Sequence, residues 1–174
     1  VVAWLVFEES AGGFRKRAWH GERIRRTSRR MDSDADQPDH DTESLMAECP
    51  FCSIASGLSD TKPIAESEHS VAFEDLYPLS PGHTLITPRR HEADLFQLEK
   101  EERADAWVLL DTVQQLLVER LNPDGFNVGV NVSETAGQTV EHAHIHLIPR
   151  FHGDVEDPRG GIRWVIPNKA PYWD

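Results

Sequence analysis

EHAHIHLIPR, residues 141–150, puts histidines at three alternate positions, His142, His144 and His146. In an extended strand successive side chains point to opposite faces, so this spacing predicts a strand with all three imidazoles on one face. Ala143, Ile145 and Leu147 then share the other face, and their apolar character marks it as turned to a core. Three polar rings are a poor filling for a core unless each has a partner. Two kinds of chemistry supply partners: the rings bind a metal, or one of them is a nucleophile served by the others.

Working outward, FNVGVNV (residues 126–132) reads as a strand joined to the histidine strand by a short loop containing Gly137. Residues 98–121 read as an amphipathic helix. Ala106, Leu109, Leu110, Val113, Leu116, Leu117 and Leu121 recur at steps of three and four, and Asn122-Pro123-Asp124-Gly125 ends the run. HTLITP (residues 83–88) and SVAFEDL (residues 70–76) read as two more strands, with Pro78, Pro81 and Gly82 marking the loop between them. CPFCSIASG (residues 49–57) reads as a short helix closed by Gly57. Strands with short connections and one long helix predict an α+β domain, an antiparallel sheet covered by that helix.

The chain has 174 residues, enough for one domain with a core. Its formal net charge of −12 is unevenly spread. Residues 1–30 hold eight basic and three acidic side chains, which leaves 10 basic against 27 acidic from Met31 onward. That balance predicts a salt-adapted protein and argues against nonspecific nucleic-acid binding by the main domain. Residues 1–48, a basic piece and then an acidic one, show no sustained apolar period and are expected to be a disordered tail. Met31 makes residues 1–30 an expected extension upstream of a natural start, with the folded domain at residues 49–174. VVAWLVF at the start is far short of the roughly 20 apolar residues of a spanning helix, and no membrane association is expected. Cys49 and Cys52 are the only cysteines; their Cys-x-x-Cys spacing suits metal or redox chemistry and a reducing cytoplasm.

The continuous string GQTVEHAHIHLIPR resembles the signature of the histidine triad family, His-x-His-x-His followed by two apolar residues. FEDLYPLSPGHTLITPRRH resembles that family's nucleoside-binding segment. The resemblance runs from about Cys49 to the C-terminus. It implies a five-stranded antiparallel sheet with one long helix and a short N-terminal helix. It also implies a mechanism in which His144 attacks the α-phosphate of a purine nucleotide, forming a nucleotidyl-histidine that water hydrolyses. His146 would donate to the phosphate, with His142 and Gln138 supporting the chemistry. Thr139 and Asn131 fall at phosphate-contacting positions. Asp75 falls where a carboxylate holds the ribose hydroxyls; Leu76, Phe73 and Phe51 would line the base pocket, with His83 near the site.

The same resemblance implies a structural zinc held by Cys49, Cys52, His91 and His142, and a homodimer. The expected substrate is a dinucleoside polyphosphate such as diadenosine tetraphosphate, or an adenosine phosphoramidate. A phosphorylase, a zinc-stabilised nucleotide-binding module without turnover, and a metalloenzyme with His144 on a catalytic metal remain as alternatives. The last segment, DPRGGIRWVIPNKAPYWD (residues 157–174), is too short for a core of its own and resembles the family's C-terminal extensions, which lie over the active site or a dimer interface. Arg150, Arg163 and Lys169 are candidates for distal phosphates, and Trp164 and Trp173 for stacking on a base or for filling the dimer interface.

Overall fold

The structure is a computed structural model that describes the backbone of residues 6–8 and 15–17 and the whole of residues 49–173. Val6–Glu8 (β1) and Arg15–Arg17 (β2) pair antiparallel, with Phe7 opposite Lys16. They belong to a unit, Val1–Gln37, separate from Pro38–Asp174. The rest of the tail expected over residues 1–48 lies outside the described residues.

Five strands build the sheet of the larger unit: Ala65–Glu66 (β3), Ser70–Glu74 (β4), Thr84–Pro88 (β5), Gly125–Gly129 (β6) and Ile145–Arg150 (β7). They lie in the order β3-β4-β5-β7-β6, antiparallel throughout. Among the described residues the α-helices are Pro50–Ala55 (α1) and Lys100–Leu121 (α2). This is the α+β architecture expected, an antiparallel five-stranded sheet with one long and one short helix. Among the described residues no helix is long and apolar enough to cross a membrane.

The long helix starts two residues later than its periodicity predicts. Leu95–Gln97 form a short 3-10 turn and buried Leu98 follows it. The Glu102 carboxylate then accepts from the Glu99 backbone N–H at 2.9 Å, capping the first turn. At the other end Asn122 adopts a left-handed conformation, φ 46°, and its N–H donates to the Val118 carbonyl. The helix buries Ala106, Leu109, Leu110, Val113 and Leu117 against Ala72, Ile86, Ile145 and Leu147 of the sheet. Leu116, expected in this stripe, is partly exposed. Each full burial of such a side chain contributes about 1.5–3 kcal/mol. Gly82 is required where this helix ends: its φ is +82°, and a Cβ there would stand 2.6 Å from Leu121 Cδ1.

A second apolar cluster covers the opposite face. α1 has only six residues, too few to persist alone. Its Phe51, Cys52 and Ile54 pack on Val71, Phe73 and Leu85. Arg89 Nη1 donates to the Ala55 carbonyl at 2.9 Å, fixing the C-terminal end of α1 to the sheet.

β7 begins at Ile145, so it holds His146 alone of the three histidines. His142 and His144 lie in its extended lead-in. The cause is Pro88, which ends the neighbouring strand and has no N–H to offer the ladder. The lead-in is held instead by loop and side-chain bonds. Ala143 N–H donates to the Glu92 carbonyl at 2.6 Å, and the Thr87 hydroxyl donates to the Ala143 carbonyl at 2.8 Å. The alternation survives: Ala143, Ile145 and Leu147 join the helix-side core.

The C-terminal segment forms two 3-10 turns, Gly161–Val165 and Pro167–Lys169. It is tied by its arginines. The Arg163 guanidinium donates to the Lys169 and Ala170 carbonyls, 2.7 and 3.0 Å, and stacks 4.9 Å from the Tyr172 ring centre. Arg159 stacks 4.7 Å from the Trp173 ring centre. Those contacts, with Ala170 buried, replace the core a segment of this length cannot build.

Candidate active site and metal-ligand cluster

Backbone carbonyls fix which nitrogen of His142 and of His144 carries its proton, because a carbonyl only accepts. His144 Nδ1–H donates to the His142 carbonyl at 2.8 Å. In the neutral ring Nε2 is then the nitrogen with the lone pair, the form a nucleophile needs. The ring is 5% exposed and lies edge-on to Phe51, 5.2 Å between centres, and to His146, 4.9 Å.

His146 receives its tautomer through a chain of three groups. The Leu79 N–H donates to His83 Nδ1 at 3.2 Å, which places the His83 proton on Nε2. That Nε2–H donates to His146 Nδ1 at 3.0 Å, so the His146 proton sits on Nε2. Burial pushes His83 below the ordinary histidine range, and the Asp75 carboxylate, 3.5 Å from Nδ1, only partly offsets it. Burial first, then the neighbouring His144 and His83, push His146 down to about 4. At neutral pH His146 is thus an uncharged ring with one N–H to donate.

His142 turns the other way. Its Nε2–H donates to the Pro88 carbonyl at 2.8 Å, leaving Nδ1 bare. Nδ1 faces Cys49 Sγ at 3.4 Å and Cys52 Sγ at 3.5 Å, and His91 Nδ1 stands 3.2 Å from Cys52 Sγ. Burial pushes His142 down to about 4. Burial, then the adjoining Cys49, pushes the Cys52 thiol up to about 12. The four ligand atoms of Cys49, Cys52, His91 and His142 all lie within 4.8 Å of one another. Two thiols and two neutral imidazoles are a soft, compact set that suits a tetrahedral divalent ion. Such an ion would also supply the positive charge that the two buried sulfurs lack.

A cavity of about 620 Å³ opens over His144 and His146. Phe51, Ile54, Phe73 and Leu85 wall it, with Asp75 and Thr139 at its polar side. Asp75 is held by the Tyr77 N–H, which donates to Oδ1 at 2.9 Å. Leu76 lines the rim and is largely exposed. Four of the catalytic and nucleotide-binding residues singled out from the sequence are not among the cavity walls: His83, which stands behind His146, His142, which faces the cysteines, and Asn131 and Gln138. Asn131 is half-buried beside Gly137. Gln138 is engaged by backbone groups of its own loop and of the segment after β5, accepting from Ser133 N–H at 2.7 Å and donating to the Ala93 and Val140 carbonyls at 2.8 and 3.1 Å. The structure adds Ser53, Ser59 and Thr61, three hydroxyls on the cavity wall. No spacing or periodicity in residues 53–61 marks them, because they come together only through the bend after α1.

Arg150 and Arg163, read as candidates for distal phosphates, are already paired. Arg150 makes a forked contact with Asp154, 2.6 and 2.8 Å, and Arg163 holds the carbonyls described above.

Comparison with known proteins agrees with this arrangement. Residues 57–153 match the HIT domain family. A bis(5'-adenosyl)-triphosphatase of Dictyostelium discoideum is 40% identical over 91 residues, 52% of this chain and 61% of that protein. An adenosine 5'-monophosphoramidase of Schizosaccharomyces pombe is 36% identical over 116 residues, 67% of this chain and 82% of that protein. Among solved structures, a zinc-bound histidine triad family protein from Mycobacterium smegmatis superposes with a TM-score of 0.59 at 31% identity, covering 72% of this chain and 95% of that one. The fold, the histidine geometry and these matches together make this chain a member of the HIT domain family.

Proposed function

We propose that this chain is a nucleotide hydrolase or nucleotidyl transferase acting at the α-phosphate of a dinucleoside polyphosphate or an adenosine phosphoramidate. The observation that carries the reading is the 2.8 Å bond from His144 Nδ1–H to the His142 carbonyl, which leaves Nε2 unprotonated beside a cavity of nucleoside size. The named activities of the Dictyostelium and Schizosaccharomyces relatives support the substrate class.

In the first step the His144 Nε2 lone pair forms a bond to the α-phosphorus. The bond from phosphorus to the leaving group breaks, and its electron pair departs with that group. His146 Nε2–H donates to the phosphoryl oxygens as charge builds there. His83 acts through His146: by supplying a hydrogen bond to Nδ1 it keeps the donor on Nε2. In the second step water attacks the phosphorus, the N–P bond breaks, its electron pair returns to His144, and a nucleoside monophosphate and a proton are released. The Phe51, Phe73 and Ile54 side chains hold the base by burial, and the Asp75 carboxylate accepts from the ribose hydroxyls. Thr139 offers a hydroxyl to the phosphate side.

Zinc is the proposed occupant of Cys49, Cys52, His91 and His142; its part is structural, joining α1 to the lead-in of β7. A homodimer is part of the same reading, supported by apolar Trp107, Val108 and Val118 exposed on α2. Two free, buried thiols fit a reducing cytoplasm.

The test incubates the chain and His144→Ala with diadenosine tetraphosphate and with adenosine phosphoramidate, and resolves the products by chromatography. Release of AMP by the native chain alone is expected. Nucleotide binding with no turnover of either substrate would replace the enzyme by a nucleotide-binding module.

A further inference from the structure

The sheet face that carries His146 continues past it. Side chains two apart on a strand share a face and stand about 7 Å apart, so Ile148 and then Arg150 follow His146 along β7. Across the ladder β6 sets Gly129 opposite His146, Asn127 opposite Ile148 and Gly125 opposite Arg150. Two of those three positions are glycines, so this corner of the sheet is low. The C-terminal segment stands over it: a Cβ on Gly129 would lie 3.6 Å from Ile162 Cδ1, and one on Gly161 would lie 3.5 Å from Asn127 Nδ2.

Between corner and segment lies a second cavity, about 430 Å³, which shares no wall residue with the cavity over His144. Ile148 forms its floor; Val155, Pro158, Ile162 and Trp164 form its sides. Its charged neighbours are matched in pairs, Arg150 with Asp154 and Asp157 with Arg159. The Trp164 indole N–H is also engaged, donating to the Arg159 carbonyl at 2.8 Å. What remains is a neutral slot with one fixed aromatic ring, 45% exposed. That surface suits a planar, uncharged group and not a phosphate.

We propose that this cavity seats the departing nucleoside of a dinucleoside polyphosphate, with its base against Trp164. The α-phosphate lies at His144, and the polyphosphate follows the β7 row past His146 to Ile148, beside the corner that Ile162 fills. The proposal rests on the nucleotidyl-histidine reading and narrows its substrate class. An adenosine phosphoramidate loses only an amine and has nothing to place in this cavity; a dinucleoside polyphosphate has a second base to place there. The row from His146 to Arg150 runs about 14 Å, within the span of an extended tri- or tetraphosphate.

The test measures binding in the full chain carrying His144→Ala, which leaves the ligands intact. Affinities for diadenosine tetraphosphate and for AMP are compared by calorimetry, with and without Trp164→Ala. A stacked base contributes enough that its loss is expected to weaken the dinucleotide about tenfold and AMP less than about twofold. Trp164→Phe restores most of the dinucleotide affinity. Ile148→Trp, which fills the cavity from its floor and leaves the segment's own ties intact, gives the same selective loss. Equal weakening of both ligands, or an unchanged dinucleotide affinity in both variants, overturns the proposal. The enzyme reading fails separately, through absent turnover by the native chain, and that leaves the affinity ratio readable. A chain that binds neither ligand overturns both.

Discussion

The two faces of one sheet are built by different means. On the helix face one row runs across the ladder through Ala72, Ile86 and Ile145, all apolar and fully buried. On the other face the parallel row is Phe73, Leu85, His146 and Gly129. The first row is held by area, and any apolar side chain of similar volume serves it. The second is packed in the same way at Phe73 and Leu85, but at His146 it passes to single bonds between named groups, such as the His83–His146 contact, which no other residue type reproduces with the same proton positions. A substitution on the first face should therefore alter stability and leave chemistry alone; one at His144, on the histidine part of the second, should do the reverse.

The largest effect that would sharpen the contrast is His144→Ala. Loss of the nucleophile is expected to lower the rate of AMP release by about 10⁴-fold, with little change in the thermal midpoint. Comparable residual rates in the variant would remove His144 from the chemistry. Next comes the cluster that belongs to neither face alone. Purified protein is expected to carry one zinc per chain by elemental analysis. Cys52→Ala should release it and lower unfolding free energy on the order of 4 kcal/mol, because metal binding and folding are coupled. A metal-free native protein of full stability would show that the four ligands do not hold zinc. On the helix face Leu117→Ala is expected to lose about 2–5 kcal/mol in denaturant unfolding, while the activity per folded molecule stays constant. A changed kcat there would break the division between the faces.

How much of this was legible in the sequence follows the same division. Leu109, Leu110, Val113 and Leu117 announce their helix because packing imposes a period on the chain. The alternation of Ala143, Ile145 and Leu147 announces a strand for the same reason. The start of β7 was not legible, since it depends on where Pro88 falls in the register of a neighbouring strand. Nor were the hydroxyls of Ser53, Ser59 and Thr61, which meet the cavity through a bend with no repeat. His91 stands 39 residues from Cys52, and only a family resemblance could bring it to the cluster. The role of Gln138 shows a further limit: the resemblance marks its place, but its bonds to Ala93, Ser133 and Val140 are visible only in the structure.

The smallest effect expected concerns the proton itself, and it tests whether the histidine face tolerates charge. An unfolded histidine takes up its proton near 6.5, whereas His146 is held down to about 4 when folded, chiefly by burial. Between those values the unfolded chain binds more protons, so stability rises with pH across the window. The contribution of the neutral ring is fully present above pH 6.5 and is lost progressively as the pH falls towards 4. His146 is partly exposed, so solvent screening reduces the loss to on the order of 2 kcal/mol. Urea midpoints of the full chain at pH 7 and pH 4.5 should show this decline, and His146→Gln should flatten it. If the variant declines as steeply as the native chain, the burial of His146 is not what makes that face intolerant of acid. The origin would then lie with His83, which burial also lowers, or with His142, which burial holds down to about 4. In the second case the histidine face and the cysteine cluster, which His142 ties together, would respond to acid as one unit.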